Sequence, residues 1–224
     1  MFAVTVDQVG SRSDDDRVEQ AIDVVRTTAD GRLVLPPERT AGDEFQFLLD
    51  DAGTLLDVVF ALVRSDGWSI GIGVGDVEEP VPDSTRAARG DAFVTARAAV
   101  DRAKDVPEHL ALEVAPGRRL GTADVEPLVT QTVRARQRRS REGWELADLL
   151  RAGHSRTEAA ELLGVTPQAV AKRWSAADLR SDEAVHAALS RLLAEADTPA
   201  EADTPAGADT PAGADTPAVT DTLA

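Results

Sequence analysis

The chain has 224 residues, 42% of them hydrophobic, a net charge of −16, three Trp, five Phe, no Tyr and no Cys. Without cysteine there are no disulfides, no thiolate-ligated zinc and no thiol catalysis, and so few aromatic residues argue against stacking on single-stranded nucleic acid. No run approaches the ~20 apolar residues of a membrane span, and no basic stretch leading into an apolar one follows Met1, so the expectation is a cytoplasmic protein with no membrane partner.

The charge is unevenly spread. Residues 134–174 hold nine Lys/Arg against five Asp/Glu, a net +4. Residues 1–133 sum to −12 and residues 175–224 to −8. Contact with nucleic acid needs local positive charge of this kind, whatever the sign of the whole.

Phe2 to Val6 is an apolar, β-branched run that exits through Asp7-Gln-Val-Gly10, which reads as a first strand. Ser13 to Asp16 supplies a cap and negative charge for a helix through about Thr28, with Val18, Ala21, Ile22 and Val25 on one face. Arg32–Leu35 and Phe45–Leu49 flank Thr40-Ala-Gly-Asp-Glu44 and read as a hairpin. Gly42-Asp43 at its tip either turns the chain or holds a carboxylate at the mouth of a sheet, where a hard divalent cation can sit. A helix follows over residues 53–64. Trp68 to Val74 is a buried strand whose glycines signal a close backbone approach. After a polar loop, Ala92 to about Lys104 is helical and Leu110–Val114 is a strand. The order β-α-β-β-α-β-α-β is the split-βαβ, ferredoxin-like order with an extra C-terminal unit. The fold class expected is therefore α+β: a sheet domain over 1–121, then an all-α unit.

Residues 123–151 are predominantly helical and carry the basic run from Arg134 to Arg141, with Gly143 as a candidate bend. Residues 156–174 have the pattern of a helix-turn-helix. Ala159 and Ala160 are small where helices cross, Gly164 suits a left-handed C′ position, and Thr166-Pro167 caps and starts the next helix. Val170 and Trp174 point inward at i, i+4. Thr166, Gln168, Ala169, Lys172 and Arg173 are then left to face a major groove, with Arg138 and Arg139 on phosphates beside it. This all-α unit spans 122–194. From Glu195 to Ala224 the chain repeats a hexad of the type Glu-Ala-Asp-Thr-Pro-Ala, which has nothing large to bury and is expected to be disordered.

Four blocks carry a family resemblance. Asp7-Gln-Val-Gly10, Arg39-Thr-Ala-Gly-Asp43, Ile70-Gly-Ile-Gly-Val-Gly75 and Gly90-Asp-Ala-Phe-Val-Thr-Ala-Arg97 resemble, in order, the landmark blocks of class III nucleotidyl cyclases. Ala41-Gly-Asp-Glu-Phe45 is also similar to the GGDEF motif of diguanylate cyclases. The combination with a C-terminal helix-turn-helix looks like SatD-type proteins. The resemblance implies Asp7 and Asp43 as Mg²⁺ ligands, and Arg39, Gly42 and Arg97 around a nucleotide. It also implies a departure: Val94 and Ala98 stand where the cyclases place a transition-state Asn and Arg, and without those groups phosphoryl charge goes unstabilised. The expected function is a double-stranded-DNA-binding protein, a transcriptional regulator and homodimer, whose palm-like domain senses a nucleotide or metal or dimerises. The alternative is a Mg-dependent nucleotide cyclase or nucleotidyltransferase.

Overall fold

The computed structural model describes residues 1–10 and 16–200. These residues form an α+β structure with a five-stranded mixed sheet and eight helices. The strands are β1 (Phe2–Gln8), β2 (Leu35–Ala41), β3 (Glu44–Leu49), β4 (Trp68–Val74) and β5 (Leu110–Val114), in the spatial order β2-β3-β1-β4-β5. The first four pair antiparallel, and β5 joins β4 in parallel. β2 runs several residues later than the Arg32–Leu35 expected. It contains Pro36 and Pro37, which fall at a register shift between Leu35 and Glu38 on a strand at the sheet edge, where missing N–H donors break no ladder.

Both faces of the sheet are covered, in different ways. Helices α1 (Val18–Ala29) and α2 (Ala52–Ser65) place apolar stripes against one face, where Val4, Val6, Phe45, Phe47, Ile70 and Ile72 are buried. The opposite face receives α3 (Asp91–Ala103) through Ala92, Ala96, Ala99 and Ala103, a stripe of small residues at helical spacing. The glycines of β4 make this possible. A Cβ at Gly71 would lie 2.2 Å from the Val100 amide nitrogen, and one at Gly73 would lie 2.0 Å from the Ala92 carbonyl oxygen.

Two later helices complete the main core. α4 (Thr122–Gln137) contributes Val125, Val129 and Val133, and α8 (Leu179–Asp197) contributes Leu189, Leu193 and Ala196. The division expected at 121/122 therefore runs through one continuous core. Between them, α5 (Arg141–Arg151), α6 (Arg156–Leu162) and α7 (Pro167–Ala176) enclose a second, small core of Leu146, Ala147, Ala159, Ala160 and Val170. Helix α4 stops where Ser140 accepts a hydrogen bond from the Gly143 amide at 3.2 Å. That cap places the break before Gly143, which lies in the first turn of α5, close under Ala177. α8 begins in the small core at Leu179 and ends in the large one; at ~1.5 Å per residue it is a strut of roughly 28 Å.

Helix α8 takes in the first residues of the expected tail. Glu195 to Asp197 form the last turn of α8, Ala196 is fully buried, and Pro199 bridges to Arg118. The correction is physical. The first hexad copy continues a helix whose preceding turns already bury Leu189 and Leu193, and Asp197 accepts from the N-terminal ammonium of Met1. The remaining copies, from residue 201, lie outside the described residues, as do Ser13, Asp14 and Asp15 of the expected helix cap. Asp16 is described, and its carboxylate accepts from the Val18 amide at 3.0 Å.

Candidate functional site

Strand alternation sorts the residues at the β1–β3 end of the sheet. Val6 and Phe45 enter the main core, so Thr5, Asp7, Glu44 and Gln46 point to the α3 side. Gln46 donates to the Thr5 hydroxyl at 2.9 Å, and Asp7 stands opposite Glu44 in the ladder. The hairpin tip closes over this end: Gly42 takes φ +57°, and the Gln8 amide donates to the Asp43 carbonyl at 3.2 Å. Asp7, Asp43 and Glu44 are thereby gathered at one edge.

Their charge is answered by the chain itself. Lys104, at the end of α3, sits 3.3 Å from Asp7 Oδ2. Arg97, midway along α3, pairs with Glu44, which also accepts from Thr40 Oγ1 at 2.7 Å. Burial raises the Asp7 carboxyl above its ordinary range; Lys104 works against this, while Asp43 and Glu44 add to it. Among the described residues, no three His, Cys, Asp or Glu side chains are grouped as ligands for one ion. The ammonium of Lys104 sits against Asp7, so a divalent cation on the Asp7–Asp43 pair would have to displace it.

The three residues expected around a nucleotide are not brought together. Arg39 pairs in register with Phe45 and so faces α1, where both oxygens of Asp16 accept from it at 2.6 and 2.7 Å. Arg97 lies across the sheet on α3. Only Gly42, at the tip between them, is open, with nothing near the position of an added Cβ.

The helix-turn-helix segment forms as its local chemistry dictates. Ser155 and Glu158 make a reciprocal capping box at the start of α6. Gly164 takes φ +63°, and the Val165 amide closes back on Ala160 at 3.0 Å. Thr166 then caps α7 by accepting from the Ala169 amide at 3.2 Å. Val170 is 1% exposed, while Gln168 and Lys172 lie on the surface and Ala169 is half-buried.

The basic run behaves differently from expectation. Arg138 is exposed. Arg139 is not: its side chain is 3% exposed, stacked 4.5 Å from the Trp144 ring centre and 3.2 Å from Asp182. Arg136 is buried over Phe60, Arg134 is paired with Glu108, and Arg173 reaches Glu145 at 3.5 Å. Much of the island therefore joins helices to one another. An arginine run read on a surface helix cannot show this, because the acceptor Asp182 sits on α8, over forty residues away.

Sequence reasoning missed Lys104 as the partner of Asp7, and Glu44 as the third carboxylate. Strand alternation alone would have put Glu44 on the Asp7 face. The exposed end of the basic run is Arg141, whose side chain is 86% exposed and shares Glu145 with Arg173. Compared with known protein families, with curated proteins and with solved structures, the chain finds no match.

Proposed function

We propose that the chain is a DNA-binding protein, a transcriptional regulator whose helix α7 enters the major groove of duplex DNA. The observation that carries this reading is the orientation of α7: Val170 is pinned in the small core, while Gln168 and Lys172 project from the other side of the same helix. Side chains of those types reach base edges and phosphates from a groove-bound helix. The exposed guanidinium of Arg141, linked through Glu145 to Arg173 on α7, supplies phosphate-contacting charge beside it.

The sheet order β2-β3-β1-β4 with antiparallel neighbours supports a ferredoxin-like, palm-like body. In this reading the body carries α7 on the α4–α8 frame, and a homodimer presents two copies to successive half-sites. A second reading, Mg-dependent nucleotide chemistry, is favoured by one observation: Asp7 and Asp43 share a sheet end. The Lys104–Asp7 pair weighs against it.

The test is binding of the full chain to labelled genomic duplex fragments by anisotropy across a salt series. The expected result is binding at low salt that weakens steeply as salt rises. Folded protein that retains no fragment at low salt would overturn the proposal. Metal-dependent turnover of a nucleoside triphosphate, abolished by Asp43→Ala, would favour the second reading.

A further inference from the structure

Two adjoining cavities, about 640 and about 560 Å³, lie between the sheet-bearing body and the α5–α7 unit. They share Asp57, Arg136 and Arg151, and together form one cleft. Its two ends differ in chemistry. The smaller cavity brings Arg32, Arg64, Arg136 and Arg151 from four separate parts of the chain against two carboxylates, Asp30 and Asp57. The larger has a wall of Ala147, Leu150, Trp174 and Leu179.

Arg136 is committed to Asp182. Arg64 lies over the Trp144 ring, 4.8 Å from its centre, and the polar contacts of the other three arginines are weak ones. Among the described residues, Arg32 donates to the Ala29 and Thr28 carbonyls. Arg64 and Arg151 share one acceptor, Asp148, in pairs whose side chains are all about half exposed. Exposed pairs of that kind hold little energy, so these guanidinium groups can turn onto an incoming anion. Their planar donor forks match a phosphate. At the join of the two cavities, Asp57 lies 3.1 Å from His186 Nε2. Burial is the largest influence on the Asp57 carboxyl and would raise it, but the bond and charge of His186 together with the charges of Arg151 and Arg32 outweigh it and keep it below the ordinary range. An ionised Asp57 there accepts from a hydroxyl or amino group.

We propose that this cleft binds a phosphorylated small molecule with a planar body. The phosphate lies toward Arg32, Arg64 and Arg151, and the planar part lies against Trp174 and Leu150. The volume is that of a small-ligand site. An occupant would touch α2, α5, α7 and α8 at once. The proposal does not rest on the DNA reading, and its test contains no DNA.

The full chain is titrated with the four common nucleoside 5′-monophosphates and flavin mononucleotide. Adenosine and inorganic phosphate serve as half-ligand controls. Calorimetry and tryptophan fluorescence report binding. At least one phosphorylated compound is expected to bind saturably, with each half-ligand weaker by about tenfold or more. Arg151→Gln and Arg32→Gln are each expected to weaken binding by about tenfold, the loss of one charge-assisted hydrogen bond. Trp174→Phe should remove most of the fluorescence response. Failure of all five compounds at millimolar concentration would overturn the proposal. So would inorganic phosphate binding as well as the best of them, or affinity unchanged in both arginine variants. Both arginines are surface side chains, and thermal melts of the variants confirm that the fold persists.

Discussion

Arg136 and Asp182 meet across the α4–α8 contact in a two-point pair, Nε to Oδ1 at 2.9 Å and Nη2 to Oδ2 at 3.1 Å. The side chain of Arg136 is 5% exposed and that of Asp182 is 16% exposed. Arg139 reaches the same carboxylate from the end of α4, and the Phe60 ring of α2 lies 3.7 Å from the Arg136 guanidinium. Asp182 thus answers two buried cations. Burial lowers the Arg136 guanidinium from its ordinary range, and Asp182 opposes that shift. Removing Asp182 leaves both arginines unanswered. Asp182→Ala is expected to cost about 3–5 kcal/mol, the range for breaking a buried pair from one side. Arg136→Met should cost less, because Asp182 keeps Arg139. Urea unfolding of the two variants checks the order; a smaller loss for Asp182→Ala would show that the pair does not anchor α8.

The contact between α3 and β4 yields a second prediction. The Cβ of an alanine at Gly73 would meet the Ala92 carbonyl at 2.0 Å and the Ala96 amide at 2.3 Å, all backbone. No rotamer relieves such a clash, so α3 must move off the sheet. Gly73→Ala is expected to cost about 3 kcal/mol or more, at or beyond the upper end for overpacking. Gly153, with φ +90° and nothing near an added Cβ, is the comparison: Gly153→Ala strains only its own backbone, at about 1 kcal/mol. Thermal unfolding of the pair separates the two causes.

The sheet and its covering helices could be read from the sequence because their signals are local. Val18, Ala21, Ile22 and Val25 share a helical face, and Gly71 and Gly73 announce a close approach. The turn of the helix-turn-helix could be read for the same reason: Gly164, Thr166 and Pro167 each meet a backbone demand within a few residues. What could not be read depends on partners distant in sequence. Arg139 looks like a surface cation until Asp182 and Trp144 enclose it. Asp7 looks like a free carboxylate until the end of α3 brings Lys104 to it. Helix α8 could not be read, and Ala196 falls in the segment expected to be disordered; the docking of Leu189, Leu193 and Ala196 on the sheet-bearing body carries the helix through to Asp197.

Asp7 gives a prediction with a definite sign in pH. Its carboxyl is raised in the folded chain by burial, with further repulsion from Asp43 and Glu44. An acid whose folded pKa lies above its unfolded value destabilises the fold once it ionises. Asp7→Asn removes that penalty. The variant is expected to be more stable than the parent near pH 7. The gain should shrink as pH falls from the raised native value toward the unfolded one, about 3.8, and vanish below it, where both forms are neutral. Denaturant midpoints from pH 3 to 7 measure this. A constant difference across the range would mean that titration of Asp7 is not its cause.

The reading of α7 as the groove helix divides its residues by role, and each role has its own signature. Lys172 is exposed and carries no base-specific geometry, so in this reading its part is to contact phosphate. Lys172→Ala is expected to weaken binding about equally on all duplexes and to lower the slope of log K against log salt by about one. Gln168 lies in the first turn of α7, where a side chain meets base edges. Gln168→Ala should leave the salt slope unchanged, cost about 1–3 kcal/mol on a selected sequence, and relax preference at one position. Arg139, enclosed by Trp144 and Asp182, is the internal control. Arg139→Met should lower stability and leave the salt slope as it was. Anisotropy across a salt series on selected and random duplexes distinguishes the three. A slope that changes with Arg139→Met but not with Lys172→Ala would place the phosphate contact on α4, and α7 would lose its assigned role.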